Sequence, residues 1–343
     1  MKILIAGLGS IGRRHFRNLI ALGERDIVLY RSNRATLPDD ELAGYPVETD
    51  LAEALEKHQP QAVIVSNPTA LHLDVAIPAA RAGCAILLEK PISHDLSRVD
   101  ELRRAVAESG SKVLVGFQFR YHPTLNKARE LIAAGALGKV LTAHAHWGEY
   151  LPNWHPWEDY RQSYAARAEL GGGVIVTLTH PLDYLRYLLG EVESLWSFNG
   201  HVSPLEMDVE DMAEIGLRFA SGAMGGVHLN YVQRPPVHRL EIVGTEGTLR
   251  WDNADGLLTL LQTPDAFGGI HPQPLPATEQ RYPLPDGFER NQLFMAQTRH
   301  FLAVAKGESD PVCSLSDGIR ALEMALAAYQ SQKMGHPIKL ALP

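Results

Sequence analysis

Ile3-Leu4-Ile5-Ala6 runs directly into Gly7-Leu8-Gly9-Ser10-Ile11-Gly12, and a helical pattern, Arg13–Leu22, follows. A short apolar strand, three glycines in G-x-G-x-x-G spacing and a helix make the opening of a βαβ unit that seats a dinucleotide. The first glycine permits a tight turn, the second lets backbone approach a pyrophosphate, and the third lets helix pack close to strand. Gly7, Gly9, Ser10, Ile11 and Gly12 are therefore expected to hold the pyrophosphate. The helix N-terminus adds N–H donors and partial positive charge. The competing reading is a glycine-rich turn that is purely structural.

Outward from that turn, the apolar runs Ile27–Tyr30, Ala62–Ser66, Ala85–Leu88 and Val113–Phe117 alternate with helical patterns such as Leu51–Lys57 and Ser97–Glu108, the last with Asp95 or Ser97 as N-cap. Such alternation predicts an α/β Rossmann domain over residues 1–121, with a parallel sheet covered on both faces. Beyond Tyr121 the pattern changes. Helices are expected at Thr124–Ala134, Pro181–Leu189, Asn291–Ala305 and Leu315–Gln332. Strands are expected at Val140–Trp147, Ser194–His201, Met212–Phe219, Ala223–Tyr231, Arg239–Val243, Thr248–Trp251 and Leu257–Leu261, and residues 263–289 read as a long loop. Strands in succession predict an α+β domain over 122–343 with a large, mostly antiparallel open sheet. A length of 343 residues suits two cores.

A formal charge of −8 without a Lys/Arg run argues against nucleic acid as a partner. Cys84 and Cys313 share no metal-ligand or redox spacing, so no metal and no disulfide is expected, and a reducing cytoplasm fits. No apolar stretch approaches the ~20 residues of a membrane span, so no membrane partner is expected. An NAD site places a carboxylate about 20 residues beyond the glycine turn. Here the stretch reads Tyr30-Arg31-Ser32-Asn33-Arg34. Arg31, Ser32 and Arg34 suit a 2′-phosphate and favour NADP over NAD. The rival reading stacks Arg31 on adenine in an NAD site.

Lys90 follows a wholly apolar run and precedes Pro91, so its ammonium is expected in a cleft or against a partner. Burial lowers a lysine's pKa and makes it a usable acid, base or donor. The alternative is a structural ion pair with Glu89.

Ser66-Asn67-Pro68-Thr69-Ala70-Leu71-His72 and Glu89-Lys90-Pro91 both lie just past the carboxyl ends of expected strands, where doubly wound sheets bind ligands. In that order, with Val115-Gly116-Phe117-Gln118-Phe119-Arg120-Tyr121-His122-Pro123, Gly171-Gly172-Gly173, His180, Asp183, Gly222 and Gly244-Thr245-Glu246-Gly247 after them, the chain resembles the Gfo/Idh/MocA oxidoreductases along its whole length. The resemblance implies a Rossmann domain and a substrate domain whose open sheet serves homodimer or homotetramer contacts. It also implies hydride transfer between a nicotinamide and a carbinol carbon of a sugar, nucleotide sugar or cyclitol. Lys90 would lie beside the nicotinamide and the reacting hydroxyl, with Glu89 and Pro91, a candidate cis bond, holding its backbone. Ser66, Asn67, Pro68, His72, Glu89, Lys90 and Gln118 would line the cofactor.

Family members commonly carry an Asp and then a His after the glycine triplet; here His180 is present and Thr177 stands nearest the expected Asp. An imidazole can by itself accept the hydroxyl proton, and Asp183, one turn on, is a candidate to orient it. The alternative for His180 is a helix-terminal cap. Substrate contacts are expected from Lys90, Thr177, His180 and Arg120, and from Trp154 and Tyr164 in an aromatic loop with His155, Trp157 and Tyr160. Arg120 and His122 are equally candidates for domain-joining contacts. Tyr231, Arg234 and His238 border a hairpin that reaches the cleft, and His144 and His146 share a strand face without ligating metal. Three alternatives stay open: an NAD-dependent glycosidase that oxidises only transiently, a non-catalytic cofactor-binding regulator, and an aldehyde or biliverdin-type reductase.

Overall fold

The computed structural model describes residues 1–31, 40–263 and 277–342. It divides into two compact units, one of Met1–Gln118, Ala168–Gly172 and Glu289–Leu322, the other of Phe119–Arg167, Gly173–Phe288 and Glu323–Pro343.

The first unit is built on strands β1 (Ile3–Ala6), β2 (Ile27–Tyr30), β3 (Val47–Glu48), β4 (Ala62–Val65), β5 (Ala85–Leu88) and β6 (Val113–Val115), in the order β3-β2-β1-β4-β5-β6. Every pairing is parallel. β1, β4 and β5 are buried at every position, because helices cover both faces, and this is why they read as unbroken apolar runs. The covering helices are α1 (Ser10–Ala21), α2 (Leu51–His58), α3 (His72–Arg81) and α4 (Val99–Ser109). Asp50 caps α2 by accepting from the Glu53 amide at 2.9 Å. α4 begins two residues later than expected, with Arg98 before it. Neither Asp95 nor Ser97 caps it; the Asp95 carboxylate instead takes the Ser97 amide at 3.0 Å and hydroxyl at 2.7 Å in the preceding turn.

Besides residues 1–118, the first unit takes 168–172 and 289–322. The edge of β6 explains the return. The Val115 amide donates to the Cys313 carbonyl at 2.9 Å, and a Cβ on Gly318 would lie 2.7 Å from Ile92 and 2.8 Å from Val115. The helix α8 of the first unit (Asn291–Ala305) packs on α1 and β5.

The second unit carries α5 (Pro123–Ala133), α6 (Val174–Thr177) and α7 (His180–Leu189). Its strands are β7 (Val140–Tyr150), β8 (Val192–Gly200), β9 (Met212–Phe219), β10 (Met224–Asn230), β11 (Val232–Gly244), β12 (Gly247–Asp252), β13 (Leu258–Gln262), β14 (Thr278–Tyr282) and β15 (Ile338–Lys339). They form one sheet, β14-β13-β12-β11-β7-β10-β9-β8-β15, antiparallel except where β7 meets β10. Strand alternation sets its faces: Ala143, Ala145 and Trp147 of β7 are buried, while His144 and His146 lie on the other face. Inward side chains join Leu182, Tyr184 and Leu185 of α7 in one core. β14 falls inside the stretch read as a loop; it is exposed along most of its length, so no apolar alternation announced it.

Candidate active site

The residues expected on the cofactor, and Lys90, belong to the first unit; Arg120, Trp154, Tyr164, Thr177 and His180 belong to the second. In the first unit the sheet order sets β1, β4 and β5 side by side, so the glycine turn, the Ser66–Pro68 loop and the Glu89–Pro91 segment share one carboxyl edge. The three glycines are distinct in environment. Gly7 holds φ +88, and a Cβ there would meet the Asn67 amide nitrogen at 2.5 Å. A Cβ on Gly12 would strike the Gly7 carbonyl oxygen at 2.0 Å. Gly9 has nothing within 4 Å of its Cβ position. That open space lies at the start of α1, whose first turn carries no acidic residue and no side-chain cap. A pyrophosphate fits this arrangement: bare backbone N–H groups, the helix dipole, and room above the second glycine.

Other side chains brace the turn. The Ser66 hydroxyl lies 3.0 Å from the Ala6 carbonyl and 2.9 Å from that of Gly7. Arg13, buried, donates from Nε to the Leu8 carbonyl at 3.0 Å and pairs with Glu41 at 3.1 Å. Asn67 donates to the Leu71 carbonyl at 2.8 Å. Gln118 is buried, its backbone N–H donating to the Gly116 carbonyl at 3.1 Å. At the end of β2, Arg31 follows Tyr30, and the register places Glu48 opposite Tyr30. That carboxylate is engaged by Lys57 at 2.8 Å and His58 at 2.6 Å. Ser32 and Arg34 lie outside the described residues.

Lys90 stands just past β5, and the Lys90–Pro91 bond is cis. Glu89 is 7% exposed, with Oε1 2.8 Å from His15 Nε2 and Oε2 accepting the Lys90 amide at 3.3 Å. Burial works to raise its pKa. The His15 bond and the charges of His15, Lys90 and His72 outweigh burial and hold the carboxyl below its ordinary value. His72 is buried at the start of α3, its ring nitrogens 2.8 Å from the Pro91 carbonyl and 3.0 Å from that of Asn67. Burial lowers its pKa against the pull of those two bonds.

In the second unit His180 is the first residue of α7 and 2% exposed. Its ring meets Phe119 edge-on at 5.0 Å and stacks on Trp147 at 5.5 Å. Trp147 also stacks on His238 at 4.2 Å and donates its indole N–H to Glu149 at 2.8 Å. Arg120 grips Asp183 through two nitrogens, Nη2 at 2.6 Å and Nε at 3.0 Å, both residues buried. Asp183, read as the residue that orients His180, thus has both carboxylate oxygens on Arg120. Thr177 is 3% exposed and lies beside the buried Tyr231. Trp154 packs edge-on to Tyr231 at 5.6 Å, while Tyr164 is 37% exposed.

Two residues here escaped sequence reading. Trp147 occupies the same inward alternation as Ala143 and Ala145, a signal that was present in the sequence. Glu210 had no local signal; its Oε1 takes the Ile175 amide at 3.0 Å and the Tyr329 hydroxyl at 2.7 Å. A Cβ on Gly173, at φ +114, would come 2.5 Å from that oxygen, so the glycine triplet ends where the carboxylate packs. Among the described residues no group of His, Cys, Asp and Glu is arranged to hold a metal ion, and no helix is long and apolar enough to cross a membrane.

Residues 1–117 match the model of an oxidoreductase family with an NAD-binding Rossmann fold, and residues 125–250 match the GFO/IDH/MocA C-terminal domain. The chain is 27% identical to myo-inositol 2-dehydrogenase of Thermotoga maritima over 99% of this chain and 98% of that one. It is 28% identical to scyllo-inositol 2-dehydrogenase (NAD(+)) of Bacillus subtilis over 99% and 96% of the two chains. Among solved structures, levoglucosan dehydrogenase in complex with NADH superposes with a TM-score of 0.85 at 21% identity, covering 100% of both chains. The WlbA dehydrogenase of Bordetella pertussis, in complex with NADH and UDP-GlcNAcA, gives 0.80 at 21% identity over 100% and 99%. These likenesses establish the fold.

Proposed function

The chain belongs to the GFO/IDH/MocA oxidoreductase family, and from that premise we propose that it transfers hydride between a nicotinamide dinucleotide and a carbinol carbon of a sugar, nucleotide sugar or cyclitol. One observation carries the reading: an open glycine turn at an uncapped helix end shares the carboxyl edge of one sheet with Lys90. The bound nicotinamide would supply the hydride acceptor or donor. Lys90 polarises the carbinol oxygen, and His180 exchanges its proton. Ser66, Asn67, Pro68, His72, Glu89 and Gln118 hold the cofactor side, and Arg120, Trp154, Tyr164 and Thr177 the substrate side. The names of relatives, inositol dehydrogenases among them, support the substrate class.

NADP is the preferred carrier: Arg31 directly follows β2, Tyr30 to Arg34 holds no carboxylate, and Glu48 is already paired. The protein acts in the cytoplasm, to which two free buried thiols are suited, as a homodimer or homotetramer. Trp196, Phe198 and Met224, 42%, 69% and 58% exposed on the outward sheet face, support that assembly. The test is a panel of myo-inositol, scyllo-inositol, levoglucosan and a UDP-linked sugar, offered with NADP⁺ and NAD⁺ and followed by reduced-nicotinamide absorbance. Turnover of a polyol with NADP⁺ is expected. Tight dinucleotide binding without net reduction of any member would sink the reading. Thr177 in place of the family's Asp favours the second reading, a cofactor-binding regulator, which that outcome would support.

A further inference from the structure

Beneath Lys90 lies a buried pair of groups, His15 and Glu89, and the histidine has no part in the hydride-transfer reading. His15, wholly buried, stands in the second turn of α1, the helix whose N-terminus receives the pyrophosphate. Its Nε2 is 2.8 Å from Glu89 Oε1, and Glu89 Oε2 takes the backbone amide of Lys90 at 3.3 Å. The carboxylate occupies the room of an absent side chain, since a Cβ on Gly116 would lie 2.9 Å from Oε2 and 3.1 Å from Oε1. Removing both groups from water costs more than burying two hydrocarbon side chains of like volume, so core stability alone does not account for them. On its other side the segment is tied by His72, whose ring spans the Pro91 and Asn67 carbonyls at 2.8 and 3.0 Å.

We propose that His15 and Glu89 are a positioning pair for Lys90: they fasten the lysine-bearing segment to the helix that seats the cofactor. The pair touches no reacting atom. It fixes the backbone from which the ammonium projects, and the buried His72 ring packs between the same segment and the loop after β4, its one N–H serving one of the two carbonyls. Cofactor helix, Asn67 loop and lysine segment thereby move as one body. Hydride transfer needs such alignment, because a displacement of about 1 Å costs roughly a hundredfold in rate.

The inference rests on the reading that Lys90 acts at the reacting hydroxyl. The test compares the double variant His15→Leu/Glu89→Leu, the singles His15→Leu and His15→Gln, and Lys90→Ala. NADPH binding is followed by its fluorescence, and turnover uses the best member of the polyol panel. The double variant is expected to melt at or above the parent temperature. Its kcat is expected to fall about 50-fold at nearly constant KM. His15→Gln, whose amide nitrogen reaches the place of Nε2, recovers kcat to within about threefold, and His15→Leu does not. A stable double variant with parental kcat and KM overturns the pair's role, as does a His15→Gln no faster than an equally folded His15→Leu. The last comparison decides the matter if the double variant does not fold. Full turnover by Lys90→Ala strikes instead at the role of the lysine.

Discussion

In the six-stranded sheet every residue of β1, β4 and β5 is buried, whereas β7 of the nine-stranded sheet alternates Ala143, Ala145 and Trp147 inward with His144 and His146 outward. A parallel strand covered on both faces leaves little room along its length for a polar group, so the glycine turn and the polar residues Ser66 and Lys90 fall just past the strand ends. A strand covered on one face can carry function across its width. In the second unit His238 of β11 does face inward, and it meets His180 of α7 and His122, just before α5, around Phe119, all within 6.0 Å of its ring. End groups are thus separable from the core, and face groups are part of it.

The largest effect that tests this contrast is Lys90→Ala. It should lower kcat about a thousandfold while leaving the thermal midpoint near the parent's, because an end residue leaves the core closed. A large drop in melting temperature would erase the distinction. Next is His122, of the second unit, whose pKa burial pushes down to about 4. An unfolded imidazole titrates near ~6.5, so on acidification the unfolded chain takes up this proton first. The stability it contributes is complete above ~6.5 and is lost between there and about 4, up to roughly 3 kcal/mol. His122→Phe should flatten urea-unfolding stability between about pH 7.5 and about pH 5; an unchanged slope would assign the acid sensitivity elsewhere.

Glycine substitutions sharpen the contrast within one turn. Gly9→Val has room and should leave a folded protein with NADPH affinity reduced about 50-fold in a fluorescence titration. Gly12→Val, with 2.0 Å between its Cβ and the Gly7 oxygen, should instead fail to accumulate as folded protein. Equal behaviour of the two would contradict the turn's geometry. The smallest effect is expected of Arg31→Ala, about tenfold off kcat/KM with NADP⁺ and little with NAD⁺. A parent enzyme that prefers NAD⁺ and ignores this substitution would reverse the cofactor assignment.

The same contrast governs what could be read in the sequence. Strand ends in the first unit are marked by Gly7–Gly12, Ser66-Asn67-Pro68 and Glu89-Lys90-Pro91, the glycines being what the tight turn demands, and all three segments arrive on one edge. Helix α8 was legible to the residue, and β9 as well, because each carries its own periodicity. The two-residue strands β3 and β15 have no pattern of their own; pairing with β2 and β8 creates them. The partners of His180 and Arg120 were harder. Asp183 accepts from Arg120, 63 residues earlier, a pairing that only tertiary packing makes. Glu210 likewise reaches Ile175 from 35 residues away.

Residues 289–322 close the first unit, and this sets a timetable for the nascent chain. A ribosome that has finished β6 must still make some two hundred residues before Cys313 meets Val115, about 10 to 40 s at ordinary elongation rates. Through that interval the Rossmann sheet has an open edge and lacks α8, so its folding completes only after residues 289–322 have been synthesised. A gene cut after codon 118 would yield a fragment with that edge permanently bare, prone to associate and poor at retaining nucleotide.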